Sequence, residues 1–70
     1  SMTFTIAYIP GDGVGPEVCA VAKAVMLKAA RLHGLSLDFQ EFDFGGIAID
    51  RHGDPFPAAT KKAAMAADAV

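Results

Sequence analysis

Apolar and polar positions change rhythm repeatedly along the chain. Phe4-Thr5-Ile6-Ala7-Tyr8-Ile9 is β-rich and mostly apolar on both faces, the pattern of a strand covered on both sides of its sheet. Pro10 cannot donate to a ladder and ends the run. From Pro16 to His33 the period becomes helical. Val18, Val21, Val25 and Leu32, with Ala22 and Ala29 between them, form an apolar stripe, and Lys23, Lys28 and Arg31 are free to point outward. Gly34 then suits the left-handed position after a helix, with His33 in the last turn as a cap or dipole contact.

Leu35 to Phe44 alternates: Leu37 and Phe39 fall on one side, Ser36, Asp38 and Gln40 on the other. That predicts a strand with one wetter face, or an edge strand, centred on residues 36–43. Gly45 and Gly46 break it. Ile47 to His52 fits a short helical turn closed by Gly53, and Asp54-Pro55-Phe56-Pro57 is a turn with Pro57 at a first helical position. The alanine-rich run 58–67 predicts a second long helix with Lys61 and Lys62 outside, and Asp68-Ala69-Val70 starts a third strand. The expected fold class is α/β, a β-α-β-α fragment of one parallel sheet with strands at 4–9, 36–43 and 68–70.

The passage from first strand to first helix is Ile9-Pro-Gly-Asp-Gly-Val-Gly-Pro-Glu17. Gly11, Gly13 and Gly15 permit positive φ and remove side chains, so another molecule could approach the main chain. Pro16 suits the first helical turn and Glu17 complements the helix dipole. Neither common phosphate loop fits. The third glycine arrives one residue early for Gly-x-Gly-x-x-Gly, and no Gly-Lys-Ser/Thr ending follows. Read from its residues alone, the loop is a structural turn or a ligand contact.

Composition narrows the choices. A chain of 70 residues holds one domain at most, and one of this size buries only about 60% of its unfolded surface. Yet 53% of its residues are hydrophobic, rich for a free-standing domain, so it is expected to fold against something else or to be part of a larger protein. The net charge of −2 and the lack of a basic cluster beyond Lys61-Lys62 argue against nucleic acid. No apolar run reaches the length of about 18 residues that a membrane span needs, no secretion signal is visible, and Ser1 before Met2 reads as a tag remnant. A cytoplasmic setting is the default. Cys19 is a lone thiol, expected to act as a small buried hydrophobe. Asp50, His52 and Asp54 are a titratable cluster, but their spacing matches no metal motif.

Two segments carry a family resemblance: Ile9 to Glu17, and Gly45-Gly-Ile-Ala-Ile-Asp-Arg-His-Gly-Asp-Pro-Phe-Pro57 continued by Ala66-Ala-Asp-Ala-Val70. Together they resemble the β-decarboxylating dehydrogenases, the family of isopropylmalate, isocitrate, homoisocitrate and tartrate dehydrogenases. The second segment is most similar to the isopropylmalate branch. The likeness runs from Thr3 onward and implies that the loop is a ligand contact. It implies that residues 1–70 are an N-terminal fragment of the cofactor-binding domain of such an enzyme. That enzyme would oxidise and decarboxylate 3-isopropylmalate with NAD in leucine biosynthesis. The other substrates of the family are the alternative, and so is a non-catalytic binding role for the segment alone.

The resemblance implies a small hydroxy-acid substrate, Mg²⁺ or Mn²⁺, a homodimer, and the remainder of a parent chain as partner. On this likeness Val14 lies against the nicotinamide ribose of the cofactor, and Asp12 and Gly13 shape that wall. The family's catalytic tyrosine and lysine, its substrate arginines and its metal-binding aspartates match nothing between residues 1 and 70. Tyr8, Asp50 and Asp54 are not their counterparts, so the isolated segment is expected to be inactive.

Overall fold

The computed structural model describes residues 2–70. Its elements are β1 (Thr3–Tyr8), α1 (Gly15–Leu32), β2 (Ser36–Glu41), α2 (Gly46–His52) and α3 (Ala58–Ala66). β1 and β2 pair in parallel, from Thr3 opposite Ser36 to Tyr8 opposite Glu41. On the other side of β1, Ala69 forms a parallel bridge with Ile6. There the Ala7 N–H donates to the Ala69 carbonyl and the Asp68 N–H to the Thr5 carbonyl, each at 2.9 Å. The Asp68 carboxylate closes the junction by accepting the Thr5 N–H at 2.8 Å.

The expected third strand at 68–70 is thus reduced to a single bridge beside the two-stranded sheet, and Ile6 and Ala7 of β1 are buried. β2 alternates between half-buried Leu37 and Phe39 and exposed Ser36, Asp38 and Gln40. The wet face carries a Gln40-to-Asp38 hydrogen bond of 2.9 Å.

The helix ends follow local chemistry. Pro16 and Glu17 lie in the first turn of α1. His33 is its C-cap, exposed, with its backbone N–H shared between the Ala29 and Ala30 carbonyls, and Gly34 takes φ +69°. Gly53 closes α2 at φ +74°. Pro57 is the N-cap of α3 rather than its first helical residue, because its extended ψ of 147° already departs from the helix.

The orientation of α1 corrects the sequence reading. Val18, Val21, Val25 and Leu32 are all at least 60% exposed. The face against the sheet is Cys19, Ala22, Lys23, Met26 and Ala30. These positions have the same helical spacing as the valine stripe. Ala30 is buried and Cys19 and Lys23 are half-buried, while Ala22 and Met26 face a cavity of about 320 Å³ between helix and sheet; the branched valines take the opposite side. Cys19 is half-buried rather than buried.

Lys23, expected to point outward, lies over the sheet instead. Its Nζ is 5.1 Å from the ring centroids of both Tyr8 and Phe39, which meet edge to face at 5.8 Å. The ammonium faces two π-systems while its aliphatic stem covers the sheet. A second small cluster joins α2 and α3, with Ala48 and Thr60 buried and Phe44 and Phe56 in edge-to-face contact at 5.3 Å.

Candidate functional site

The glycine loop runs from the carboxyl end of β1 into α1. Gly11 and Gly13 have φ of +69° and +63°, values that side chains rarely adopt. Gly15 has ordinary φ but no room, since a Cβ there would overlap the Pro10 carbonyl. The Gly15 N–H donates to the Asp12 carbonyl at 3.1 Å, closing a tight turn. Val14 is the N-cap of α1 and makes no capping hydrogen bond. Its side chain is 69% exposed, and the space off Gly13 is empty to 4 Å. The loop thus presents bare backbone at Gly13 and one apolar group at Val14.

The second glycine pair lies directly across from this loop. The Asp12 carboxylate occupies the space that a Cβ on Gly46 would fill, and lies 3.5 Å from the same position on Gly45. Gly11 faces the Phe44 carbonyl in the same way at 3.9 Å. Between the two segments, at the carboxyl ends of β1 and β2, opens a cleft of about 310 Å³ whose walls include Tyr8, Gly11, Pro16, Asp43, Ile47 and Arg51. Ligands of open parallel α/β sheets bind at this end of the strands. Asp12, Gly13 and Val14 are not among the residues that line this cleft.

The other wall is fixed by Asp43, which the sequence reading did not single out. One carboxylate oxygen accepts from Arg51 at 3.1 Å and the other meets His52 Nε2 at 2.8 Å. The Asp43 carbonyl accepts the hydroxyl of buried Thr60 at 2.6 Å. The His52 hydrogen bond is the largest influence on the Asp43 carboxyl; burial opposes it, the charges of Arg51 and His52 reinforce it, and the net result is a carboxyl held below its ordinary value of 3.8. His52 is thus committed to Asp43 and not to the Asp50/Asp54 grouping suggested by proximity in sequence. Asp54 makes an Asx turn, accepting the Phe56 N–H at 2.9 Å.

Among the described residues no three His, Cys, Asp or Glu side chains converge to hold a metal ion. The side chains present do not fit a divalent cation. On the loop, Val14 projects an exposed apolar group beside accessible backbone at Gly13.

These features define a parallel α/β unit with a glycine-rich edge at the carboxyl ends of its strands. The family model of isocitrate/isopropylmalate dehydrogenase matches residues 5–70, and the chain belongs to that family. It is 51% identical over 65 residues to a 3-isopropylmalate dehydrogenase of Synechococcus sp. (strain CC9605), which covers 93% of this chain and 18% of that protein. It is also 51% identical over 67 residues to the chloroplastic 3-isopropylmalate dehydrogenase 1 of Arabidopsis thaliana, covering 96% of this chain and 16% of that protein. For the 3-isopropylmalate dehydrogenase of Yersinia pestis the identity is 48% over 68 residues, 97% of this chain and 19% of that protein. The chain spans less than a fifth of the length of these relatives. No helix among the described residues is long and apolar enough to cross a membrane.

Proposed function

We propose that residues 1–70 are an N-terminal part of the cofactor-binding domain of an NAD-dependent 3-isopropylmalate dehydrogenase. The carrying observation is identity near 50% to 3-isopropylmalate dehydrogenases of bacteria and a plant, over almost the whole chain. Such an enzyme oxidises the hydroxyl of a small 2-hydroxy acid, releases CO₂ and serves leucine biosynthesis. NAD supplies the hydride acceptor when bound.

The segment's own part in this reaction is to bind and orient. Gly13 keeps the main chain bare, Val14 offers its methyl groups to the nicotinamide ribose, and Asp12 holds the loop from behind. Contact with Val14 would bury a few tens of Å² and contribute on the order of 0.5–1 kcal/mol. The ligands of Mg²⁺ or Mn²⁺ and the catalytic acid and base would belong to the remainder of the parent chain, and a second copy of that chain would complete a homodimer. The exposed valine stripe of α1 supports such a remainder, because it offers a ready apolar surface for packing. A cytoplasmic or, as in the plant relative, a plastid setting fits this role.

The test is NADH formation by the full-length polypeptide. Turnover is expected with 3-isopropylmalate and Mg²⁺ and not with isocitrate or tartrate; the reverse preference would overturn the assignment. In the same assay Val14→Asp is expected to raise KM for NAD⁺ more than KM for the hydroxy acid. It places an anion beside a phosphate-bearing cofactor and desolvates it. Equal effects on both constants would reduce the loop to a turn.

A further inference from the structure

The two glycine segments meet at one side chain. The Asp12 carboxylate fills the space in which a Gly46 Cβ would stand, and Gly11 backs onto the Phe44 carbonyl. Segment 43–46 is in turn held from behind. Its Gly45 N–H donates to the Pro55 carbonyl at 2.7 Å, and the Gly45 carbonyl accepts from Ile49 at 3.1 Å. At its start Asp43 is held by Arg51 and His52 through its carboxylate, and by Thr60 through its carbonyl. Gly45 itself has φ +79°, so its backbone shape is closed to most side chains. Asp12 therefore leans on a braced surface, and the turn from Asp12 to Gly15 carries that constraint to Val14 one residue pair away.

We infer that Asp12 is a positioning residue: seated in the side-chain vacancy of Gly46, it locks the loop and the start of α2 into one unit and so fixes where Val14 stands. The contact is one of shape. Asp12 acts on the cofactor wall through Gly46 rather than on the cofactor itself. The inference deepens the proposed cofactor role of Val14 and builds on it, but the interlock between residues 12 and 46 is testable without that role.

The experiment uses the full-length dehydrogenase with Gly46→Ala, Asp12→Ala, Asp12→Asn and the Asp12→Ala/Gly46→Ala pair. NADH affinity is read by fluorescence titration and thermal unfolding is read on the cofactor-free protein. Gly46→Ala is expected to weaken NADH binding roughly tenfold, the effect of one methyl forced into filled space next to a binding loop. The double variant should bind NADH more tightly than Gly46→Ala alone, because the truncated Asp12 side chain makes room for the methyl. Asp12→Asn, which keeps the shape and loses the charge, should lose less NADH affinity than Asp12→Ala. Independent, additive losses for positions 12 and 46 would overturn the interlock, as would an Asp12→Asn defect equal to that of Asp12→Ala.

If Gly46→Ala does not fold, recovery of folded protein in the double variant is the expected result, and its absence overturns the inference. The two readings fail separately. NADH affinity indifferent to Val14→Asp removes the cofactor role, while coupling between 12 and 46 in thermal unfolding would persist. A response at Val14 without that coupling would leave the cofactor role standing and remove the interlock.

Discussion

Asp43 is the most heavily used polar residue among those described, with three partners at sequence distances of 8, 9 and 17. Its carboxyl is held below 3.8, mainly by His52 and then by Arg51. A carboxyl depressed in the folded state stabilises the fold above its unfolded value, and that stability is lost as pH falls through the folded value. In the full-length protein Asp43→Asn should therefore lower the urea midpoint at neutral pH, and the gap to wild type should close as pH drops below about 4. A gap that stays constant with pH would mean that the carboxylate adds nothing beyond its shape. Lys23 makes a second residue-scale case. Truncation to alanine removes both the stem over the sheet and the charge over two rings, and should cost about 1 kcal/mol in urea unfolding of the full-length protein. Lys23→Met, which keeps the stem, should recover part of that loss.

At the scale of elements, strand and helix order was legible because the rhythm changes sharply: a two-faced apolar run, a 3.6 period, an alternating run, then alanines. The caps at Gly34 and Gly53 and the Asx turn at Asp54 were legible for the same reason, since each is local chemistry. The facing of α1 was not. Helical spacing is satisfied by Val18, Val21 and Val25 and equally by Cys19, Ala22 and Met26, and hydrophobicity favours the valines. What decides is the distance to the sheet, which no periodicity contains. Asp43 was hidden for a related reason: its partners lie beyond a turn and in another helix, so sequence proximity pointed His52 at Asp50 and Asp54. Ala30 provides the check on α1. It is buried, and its carbonyl accepts the Leu35 N–H at 2.8 Å where helix turns into strand. Ala30→Leu should destabilise by roughly 1–3 kcal/mol through overpacking, in thermal or urea unfolding of the full-length protein; a neutral result would place that face away from the sheet.

The whole molecule is a slab of 40 × 25 × 12 Å with a radius of gyration of 13.1 Å. A compact chain of this length would have a radius near 11 Å. Its surface of 4849 Å² likewise exceeds the roughly 4,200 Å² expected of a compact monomer of its mass. The excess is largely apolar: Val14, Val18, Val21, Val25 and Leu32 line one side of α1, while few side chains are fully buried inside. Hydrophobic residues spent on an outer face contribute nothing to the segment's own stability, and ordering each residue costs about 1–2 kcal/mol of conformational entropy. The isolated 70 residues should therefore melt without a cooperative transition by circular dichroism, and should form no NADH from 3-isopropylmalate and Mg²⁺. Val21→Lys with Val25→Lys separates the two settings. In the isolated segment the pair should raise solubility at no cost in structure. In the full-length dehydrogenase it should destabilise by more than about 2 kcal/mol, the scale of placing charge in a buried apolar contact. A full-length protein that tolerates both lysines would mean that the valine face stays in water, and that the remainder of the chain packs elsewhere.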